Sequence, residues 1–353
     1  MAEQAAAERA AQFPWRAGTA TGIGSMPGID VAEASRVVFG ELPDLPHLPE
    51  LPGRGPGADI TGRTAALLVD LPVEVTPRGW KLADRPGRDL TRAAGYWSQD
   101  LDTLEETAAG YAGPVKIQVC GPWTLAATLE LSRAVNPALA DPGAVADLTV
   151  SLAEGLAAHA ADVRKRVPGA TLVVQLDEPS LPAVLAGRVP TASGLSTVAA
   201  IDRVVASQRL AAVLSAPSAV TVVHCCGARA PFAEIKAAGA AAVSFDLGLL
   251  PVRETDRVAE LAEAGLGLLV GALPTGTAAR LISGPRFAAR QTAEDVVAMW
   301  RRTGMPAARL AEQVVITPAC GLAGVPPAAA AAALRHCREA ARVAAEMIEE
   351  STR

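Results

Sequence analysis

The chain has 353 residues, of which 50% are hydrophobic, and a formal net charge of -5 at pH 7. The negative charge and the scattered arginines argue against a nucleic-acid partner, and no apolar stretch reaches the roughly 18 residues of a membrane-spanning helix. Five cysteines, together with an N-terminus that lacks the features of a signal peptide, predict a cytoplasmic protein whose thiols are free or bind a metal.

Short apolar runs alternate with longer segments of helical spacing, a pattern typical of βα units and a parallel sheet. The candidate strands are Thr19–Gly24, Leu45–Pro49, Val115–Val119, Thr171–Leu176, Ala219–Val223, Ala241–Phe245, Gly267–Gly271 and Gln313–Ile316. About eight such units in a chain of this length predict a single-domain (β/α)8 TIM barrel. We assign residues 1–18 to a frayed N-terminal segment and residues 19–353 to the barrel.

The segment between the second and third predicted strands departs from this alternation. Residues 51–95 are rich in Gly, Pro and Arg, and Leu71–Trp80 has the sequence of a short hairpin. An elaborated loop after a barrel strand usually shapes the mouth of the barrel, although a surface excursion explains Pro77–Asp89 equally well.

Polar residues follow the predicted strands at the edge where a barrel of this class places its active site. Strand one runs into Gly24-Ser25, where a hydroxyl and nearby backbone amides can hold a carboxylate. Glu50 ends strand two and Asp177 ends strand four, so these two carboxylates can bind an ammonium group. Two simpler interpretations remain open, a solvated acidic loop for Glu50 and a helix-capping role for Glu178.

Thiol, imidazole and carboxylate side chains end or follow three later strands. His224 and Cys226 lie two residues apart at the end of strand five, so they share a face while Cys225 points away. Asp246 ends strand six, and Cys320 follows strand eight. These are ligand types that zinc prefers, and such a mixture with substrate access activates a bound water or thiol. We therefore predict a zinc site formed by these four side chains. The remaining cysteines are interpreted as core residues: Cys120, Cys225 and Cys337.

Five blocks of the chain resemble the catalytic C-terminal barrel of cobalamin-independent methionine synthase, in the order of that family. They are Ile23-Gly24-Ser25, Gly121-Pro122-Trp123-Thr124, Gln175-Leu176-Asp177-Glu178-Pro179, His224-Cys225-Cys226 and Pro318-Ala319-Cys320-Gly321, and the resemblance spans Thr19 to Leu322. It implies a zinc enzyme that methylates the thiol of homocysteine to form methionine. It also implies an amino-acid site and a ligand set, respectively Ser25, Glu50 and Asp177, and His224, Cys226 and Cys320.

The chain departs from this family at three points. The family's carboxylate ligand is a glutamate, whereas the matching position is Asp246, one methylene shorter, with Glu178 as our next choice. Gly271–Thr275 holds no counterpart of the family's histidine for proton delivery. The chain also resembles the short core form with one barrel, for which we expect a methylcorrinoid, free or on a carrier protein, as methyl donor instead of a methylfolate.

Three other functions remain open. A zinc methyltransferase acting on coenzyme M has a similar His-x-Cys site, but the acidic residues Glu50 and Asp177 favour an amino-acid substrate. A decarboxylase like uroporphyrinogen decarboxylase shares the barrel and needs no metal. A zinc-storing or scaffolding barrel would need neither acidic residue.

Overall fold

The computed structural model describes residues 13–283 and 289–352 and has an α/β fold. Its main sheet contains six parallel strands in chain order, and a two-stranded hairpin precedes it. The strands are Val73–Thr76 (β1), Gly79–Leu82 (β2), Pro114–Cys120 (β3), Thr171–Asp177 (β4), Val220–Cys225 (β5), Ala242–Asp246 (β6), Gly267–Leu273 (β7) and Val314–Pro318 (β8).

Helices connect the successive strands, as expected for a chain built from βα units. They are Val31–Glu41 (α1), Ile60–Ala65 (α2), Arg88–Thr107 (α3), Pro122–Thr128 (α4), Pro142–Arg166 (α5), Leu181–Leu185 (α6), Arg203–Leu214 (α7), Phe232–Ala237 (α8), Thr255–Glu263 (α9), Arg280–Ser283 (α10), Ala289–Arg302 (α11), Ala307–Gln313 (α12) and Pro327–Thr352 (α13). No helix within the described residues is long and apolar enough to cross a membrane.

The first two predicted strands are extended segments and not regular strands. One segment bridges β8 at Ala20, the other bridges β3 at His47, and the two segments meet at Ser25 and Glu50, all through isolated parallel bridges. The second segment has a proline at every third position from 43 to 52, and proline lacks the N–H group that a continuous ladder needs. The expected eight regular strands are therefore found only in part: six strands form a curled half-barrel, and two extended segments bridge its two edges.

Residues along each strand point alternately to opposite sides of the sheet. One side faces the helices and contributes to the main hydrophobic core, for example through Val174 and Cys225. The other side begins with a smaller apolar cluster that includes Val173, and the same side continues with Gln175 and Asp177 two and four residues later. The interior of the curled sheet thus changes from apolar to polar towards the carboxyl ends of the strands, where the predicted site lies.

The N-terminal segment is packed against this interior from residue 13 onward. The rings of Phe13 and Trp15 are buried and stacked, with centroids 4.6 Å apart. They pack into the smaller apolar cluster, and Gly267 makes room for them, because a Cβ there would lie 2.7 Å from Cζ2 of Trp15. The segment predicted to be frayed, residues 1–18, is therefore packed at Phe13 and Trp15. Its residues 1–12 lie outside the described residues.

The predicted hairpin at Leu71–Trp80 is present, as the antiparallel pair of β1 and β2. Trp80 is buried, and its Nε1 donates a hydrogen bond to the Asp59 carboxylate at 3.0 Å. Because Asp59 caps the N-terminus of α2, this bond ties the hairpin to that helix. The part of the loop that contains Trp80 is therefore packed, and is not a loose surface excursion.

Candidate metal centre and substrate-binding residues

Three of the four predicted zinc ligands lie together at the carboxyl end of the sheet. One ligand atom from each of His224, Cys226 and Cys320 lies within 4.8 Å of the others. The first two side chains come from the end of β5, and the third follows β8. Cys225 lies between the first two in sequence but is fully buried in the main core on the opposite face. The alternation of side chains along a strand therefore separates the two neighbouring cysteines as expected.

The imidazole of His224 is held in an orientation that suits a metal ligand. Its Nδ1 lies 2.8 Å from the Ser244 hydroxyl, and the side chain is buried. Nε2 is also buried and has no hydrogen-bond partner among the described residues. A buried polar atom without a partner is costly, and a hydrogen bond at one ring nitrogen is the usual way of directing the other to a metal. Nε2 is therefore a suitable metal ligand.

The two thiols are close enough to share one ion. Cys226 Sγ and Cys320 Sγ lie 3.3 Å apart, and neither cysteine forms a disulfide. Two thiolates on a tetrahedral zinc, at about 2.3 Å each, lie about 3.8 Å apart, so a small adjustment accommodates the ion. A hydrogen bond between the two sulfur atoms, together with the neighbouring His224 ring, lowers the pKa of Cys320 to about 4. The same hydrogen bond raises the pKa of Cys226. This donor set fits zinc.

The two carboxylates considered as a further ligand are both engaged elsewhere. Asp246 is half-buried outside the three-residue group, and its Oδ1 accepts a hydrogen bond from the backbone N–H of Gly248 at 2.8 Å. Glu178 is fully buried and accepts hydrogen bonds from the backbone N–H groups of Trp123 and Thr124 at 2.9 and 2.8 Å. Glu178 thus binds the start of α4, so its capping interpretation describes its contacts well. Ligation by Asp246 stays a prediction.

Glu50 lies beside Ser25 in a buried, charged environment. The backbone N–H of Met26 donates to the carbonyl oxygen of Glu50 at 2.8 Å, which fixes the two segments against each other. The Glu50 carboxylate is 3.7 Å from Arg63 Nε, and Arg63 in turn pairs with the fully buried Asp100. Burial raises the pKa of Glu50, whereas the charge of Arg63 lowers it. Glu50 is therefore not part of a solvated acidic loop.

Asp177 is near Glu50 inside the curled sheet. It is 5% exposed, and its Oδ1 accepts a hydrogen bond from Gln175 Nε2 at 2.7 Å. Burial raises the pKa of Asp177 well above its ordinary value, and the charge of Glu50 raises it further. Two desolvated carboxylates that repel each other are stabilised by a cation placed between them. The structure thus brings together the two predicted ammonium-binding residues.

Ser25 links these carboxylates to the metal-binding group. Its hydroxyl occupies the space next to Gly321, where a Cβ would collide with it. Its carbonyl oxygen accepts a hydrogen bond from the backbone N–H of Leu322 at 2.8 Å. Because these residues directly follow Cys320, the amino-acid residues adjoin the metal-binding group, and Asp246 lies near enough for the charges of Cys320 and His224 to act on it.

A layer of buried polar side chains beneath this site was missed at the sequence level. Lys116 and Gln118 on β3 and Gln175 on β4 are all fully buried on the interior side. The sequence signal was a polar residue at every second position of two otherwise apolar strands, at Lys116 and Gln118 and again at Gln175 and Asp177. Such alternation indicates which side a residue faces, but not which residues it meets there.

Comparisons with known proteins found a matching family model and similar solved structures. A family model described as "Cobalamin-independent synthase, Catalytic domain" matches residues 17–343. The solved structure of a B12-independent methionine synthase from Shewanella sp. W3-18-1, in complex with selenomethionine, is 12% identical with a TM-score of 0.62, and the alignment covers 95% of this chain and 99% of that one. The carboxyl transferase domain of Rhizobium etli pyruvate carboxylase is 14% identical over 68% of this chain and 44% of that one, with a TM-score of only 0.26. No curated protein sequence matches.

The family match corrects the predicted methyl donor. A cobalamin-independent synthase does not take its methyl group from a corrinoid, so the expected methylcorrinoid and its carrier protein are wrong. The corrinoid prediction was based on the resemblance to the short form with one barrel. It was not based on any residue that would contact a donor. The decarboxylase alternative also lacks support, because the matching family is a synthase.

Proposed function

We propose that this chain, which belongs to the family of the cobalamin-independent synthase catalytic domain and is a methyltransferase, transfers a methyl group to the thiol of homocysteine to form methionine. The observation that carries this proposal is the position of a His, Cys, Cys group next to a buried pair of carboxylates. The first group suits a thiol substrate and the second suits its ammonium. In this proposal the two extended segments complete an eight-membered barrel around the site.

The proposed metal is zinc, bound by His224 Nε2, Cys226 and Cys320, with Asp246 as a candidate fourth ligand. An ordinary thiol has a pKa near 8.5 and is mostly protonated at neutral pH. Bound zinc would hold the substrate sulfur as a thiolate, the form that attacks a methyl carbon. Ser244 orients the imidazole for this role.

The residues of the chain orient the amino-acid part of the substrate. Ser25 and nearby backbone amides hold the carboxylate, and Glu50 and Asp177 hold the ammonium. Both acidic side chains are buried, so an ammonium between them replaces the mutual repulsion of two carboxylates by attraction. Ser25 contacts the chain next to Cys320, which supports an amino-acid site beside the sulfur site. A substrate fixed at both ends presents its sulfur to the donor in one orientation.

We propose methyltetrahydrofolate as the methyl donor, in line with the cobalamin-independent family. The selenomethionine in the Shewanella structure is an analogue of methionine, which supports methionine as the product here. The amino group also separates this function from methylation of coenzyme M, which lacks one, so that neither buried carboxylate would gain its contact with an ammonium.

The proposal is tested by measuring zinc per chain together with methyl transfer to homocysteine. Methyltetrahydrofolate and methylcobalamin are supplied in parallel reactions, with Cys226→Ser as the metal-site variant and Cys225→Ser as its matched control. We expect about one zinc per chain, transfer from the folate alone, and loss of both properties in Cys226→Ser only. Absence of zinc, or of methionine formation with both donors, would refute the proposal.

A further inference from the structure

A buried lysine lies beneath the proposed amino-acid site. Lys116 is fully buried on β3 and faces the interior of the curled sheet. Its Nζ donates to the carbonyl oxygen of Ile23 at 2.8 Å, to Gln175 Oε1 at 2.8 Å and to Gln118 Oε1 at 3.4 Å. A lysine ammonium has three N–H donors, and here all three are used within the protein. Lys116 therefore has no donor left for a substrate, and any influence on the substrate must pass through these partners.

Each partner of Lys116 leads to one of the proposed substrate contacts. Gln175 Nε2 donates to Asp177 Oδ1 at 2.7 Å and to the carbonyl oxygen of Ile23 at 2.9 Å. Gln118 Nε2 donates to the carbonyl oxygen of Leu48 at 2.6 Å, two residues before Glu50, and Gln118 lowers the pKa of Glu50. Ile23 stands two residues before Ser25. Three short paths thus run from one ammonium to the two carboxylates and to the serine segment.

The lysine decides which end of each glutamine amide faces away from it. An amide side chain has an oxygen that accepts and an NH2 group that donates, and rotating it by half a turn exchanges them. Because Lys116 binds both Oε1 atoms, the NH2 group of Gln175 points to Asp177 and that of Gln118 to the carbonyl oxygen of Leu48. With the Gln175 amide reversed, an oxygen would face the Asp177 carboxylate and repel it.

We propose that Lys116 is a positioning residue for the substrate ammonium: through Gln175 it holds Asp177, and through Gln118 it holds the segment of Glu50, so that the two carboxylates stand as a pair of acceptors. The inference rests on the proposed function, because it concerns the same amino-acid site. No substrate atom touches Lys116 in this arrangement.

The charges around the pair support this role. Arg63 lies beside Glu50, but its guanidinium pairs with Asp100, which also receives hydrogen bonds from both NH groups of Arg54 at 2.7 and 2.8 Å. Lys116 is the cation whose charge acts on both Glu50 and Asp177. Arg63 acts on Glu50, so Lys116 is the cation that links the two carboxylates.

The test measures ligand binding and not turnover. Zinc-loaded Lys116→Met protein, whose new side chain has similar length without charge or donors, is titrated calorimetrically with homocysteine and with 4-mercaptobutyrate, which lacks only the amino group. We expect homocysteine to bind about 10- to 100-fold more weakly than to the wild type, with binding of 4-mercaptobutyrate little changed. Lys165→Met, the same change at an exposed position on α5, is the matched control and should bind as the wild type.

Two further variants keep the inference testable if Lys116→Met does not fold. Gln175→Met breaks the path to Asp177 while Lys116 keeps its bond to the carbonyl oxygen of Ile23, so it should weaken homocysteine binding selectively. Gln118→Met breaks the path to the Glu50 segment and should have the same effect. Where the lysine variant folds, its effect and that of Gln175→Met should be less than additive, because they break one path. Unchanged homocysteine affinity, or equal losses for the two thiols, would overturn the positioning role. If the wild type binds neither homocysteine nor methionine, the proposed function itself fails.

Discussion

Replacing Asp177 with Asn removes one charge from the acidic pair with almost no change of shape. In the wild type, Asp177 Oδ1 accepts from Gln175 Nε2 at 2.7 Å. The Asn side chain can keep this bond through its own oxygen, which turns its NH2 group towards the position that we assign to the substrate ammonium. Two donors then face each other in a buried site, and one charge-assisted hydrogen bond is lost.

The size of the effect follows from the burial of this contact. Asp177 is 5% exposed, so solvent screens the interaction little. A hydrogen bond to a charged group contributes about 1.5–3 kcal/mol, which corresponds to a rise in KM for homocysteine of about 10- to 150-fold. The metal-binding side chains lie on β5 and after β8, whereas Asp177 ends β4, so zinc content should not change and kcat should fall less than kcat/KM.

The assay compares methyl transfer to homocysteine and to 4-mercaptobutyrate, with coenzyme M as a second thiol that has no amino group. The wild type should strongly prefer homocysteine, and Asp177→Asn should lose most of this preference. Zinc per chain is measured on the same samples, so that a lost metal is not mistaken for a lost ammonium contact. Equal use of the thiols by the wild type, or an unchanged KM in the variant, would refute the role assigned to Asp177.

Three other predictions concern the metal centre and its surroundings. Cys226→Ser and Cys320→Ser should each abolish tight zinc binding while Cys225→Ser retains it, and equal loss from all three in metal analysis would contradict the separation of faces along β5. Asp246→Asn can keep its capping bond through the amide oxygen, so a loss of zinc affinity or turnover of about 10-fold or more would identify a metal ligand, and unchanged values would exclude one. Burial raises the pKa of Glu178 to about 7 from its ordinary 4.5, so the folded state binds the proton more tightly and stability should fall as pH rises between these values. Urea unfolding at several pH values should show a flatter dependence for Glu178→Gln, whereas identical slopes would show that this carboxyl does not titrate there.

The residues that the sequence predicted best are those whose position follows from strand periodicity. His224 and Cys226 share the interior face because they are two residues apart at the end of a β-branched run, and Cys225 lies in the opposite core for the same reason. Glu50 and Asp177 were predicted as a pair because both end strands, and the charges of the two groups do act on each other.

The contacts that could not be predicted join residues far apart in sequence. Lys116 meets Ile23 and Gln175, which are 93 and 59 positions away, and these contacts depend on the curvature of the sheet. Arg63 lies on α2, in the segment that the sequence predicted as a loop, and its guanidinium stacks over the Trp97 ring at 3.8 Å. Loop composition indicates that such a segment exists but does not specify what it packs against.

Local sequence also explains where the fold departs from eight regular strands. The regular spacing of prolines in the second segment removes backbone donors, so this segment pairs at single points. The burial of Phe13 and Trp15 has no periodic signal, because it depends on a glycine in β7, more than 250 residues later. A glycine within a strand often marks such a close approach, but it does not identify the partner.

The burial of Glu50 and Asp177 is difficult to explain as a contribution to stability. Burial raises the pKa of both groups, which means that their ionised forms are less favourable here than in water. A protein retains such an arrangement where a bound ligand compensates for the repulsion.

We therefore expect methionine to raise the melting temperature of the wild type, because a ligand that binds only the folded state stabilises it by mass action. Asp177→Asn, which removes the repulsion, should melt at a higher temperature without ligand and gain less from methionine. Thermal unfolding of both proteins over a range of methionine concentrations measures the two effects, and equal ligand-induced shifts would show that the acidic pair does not bind the amino acid.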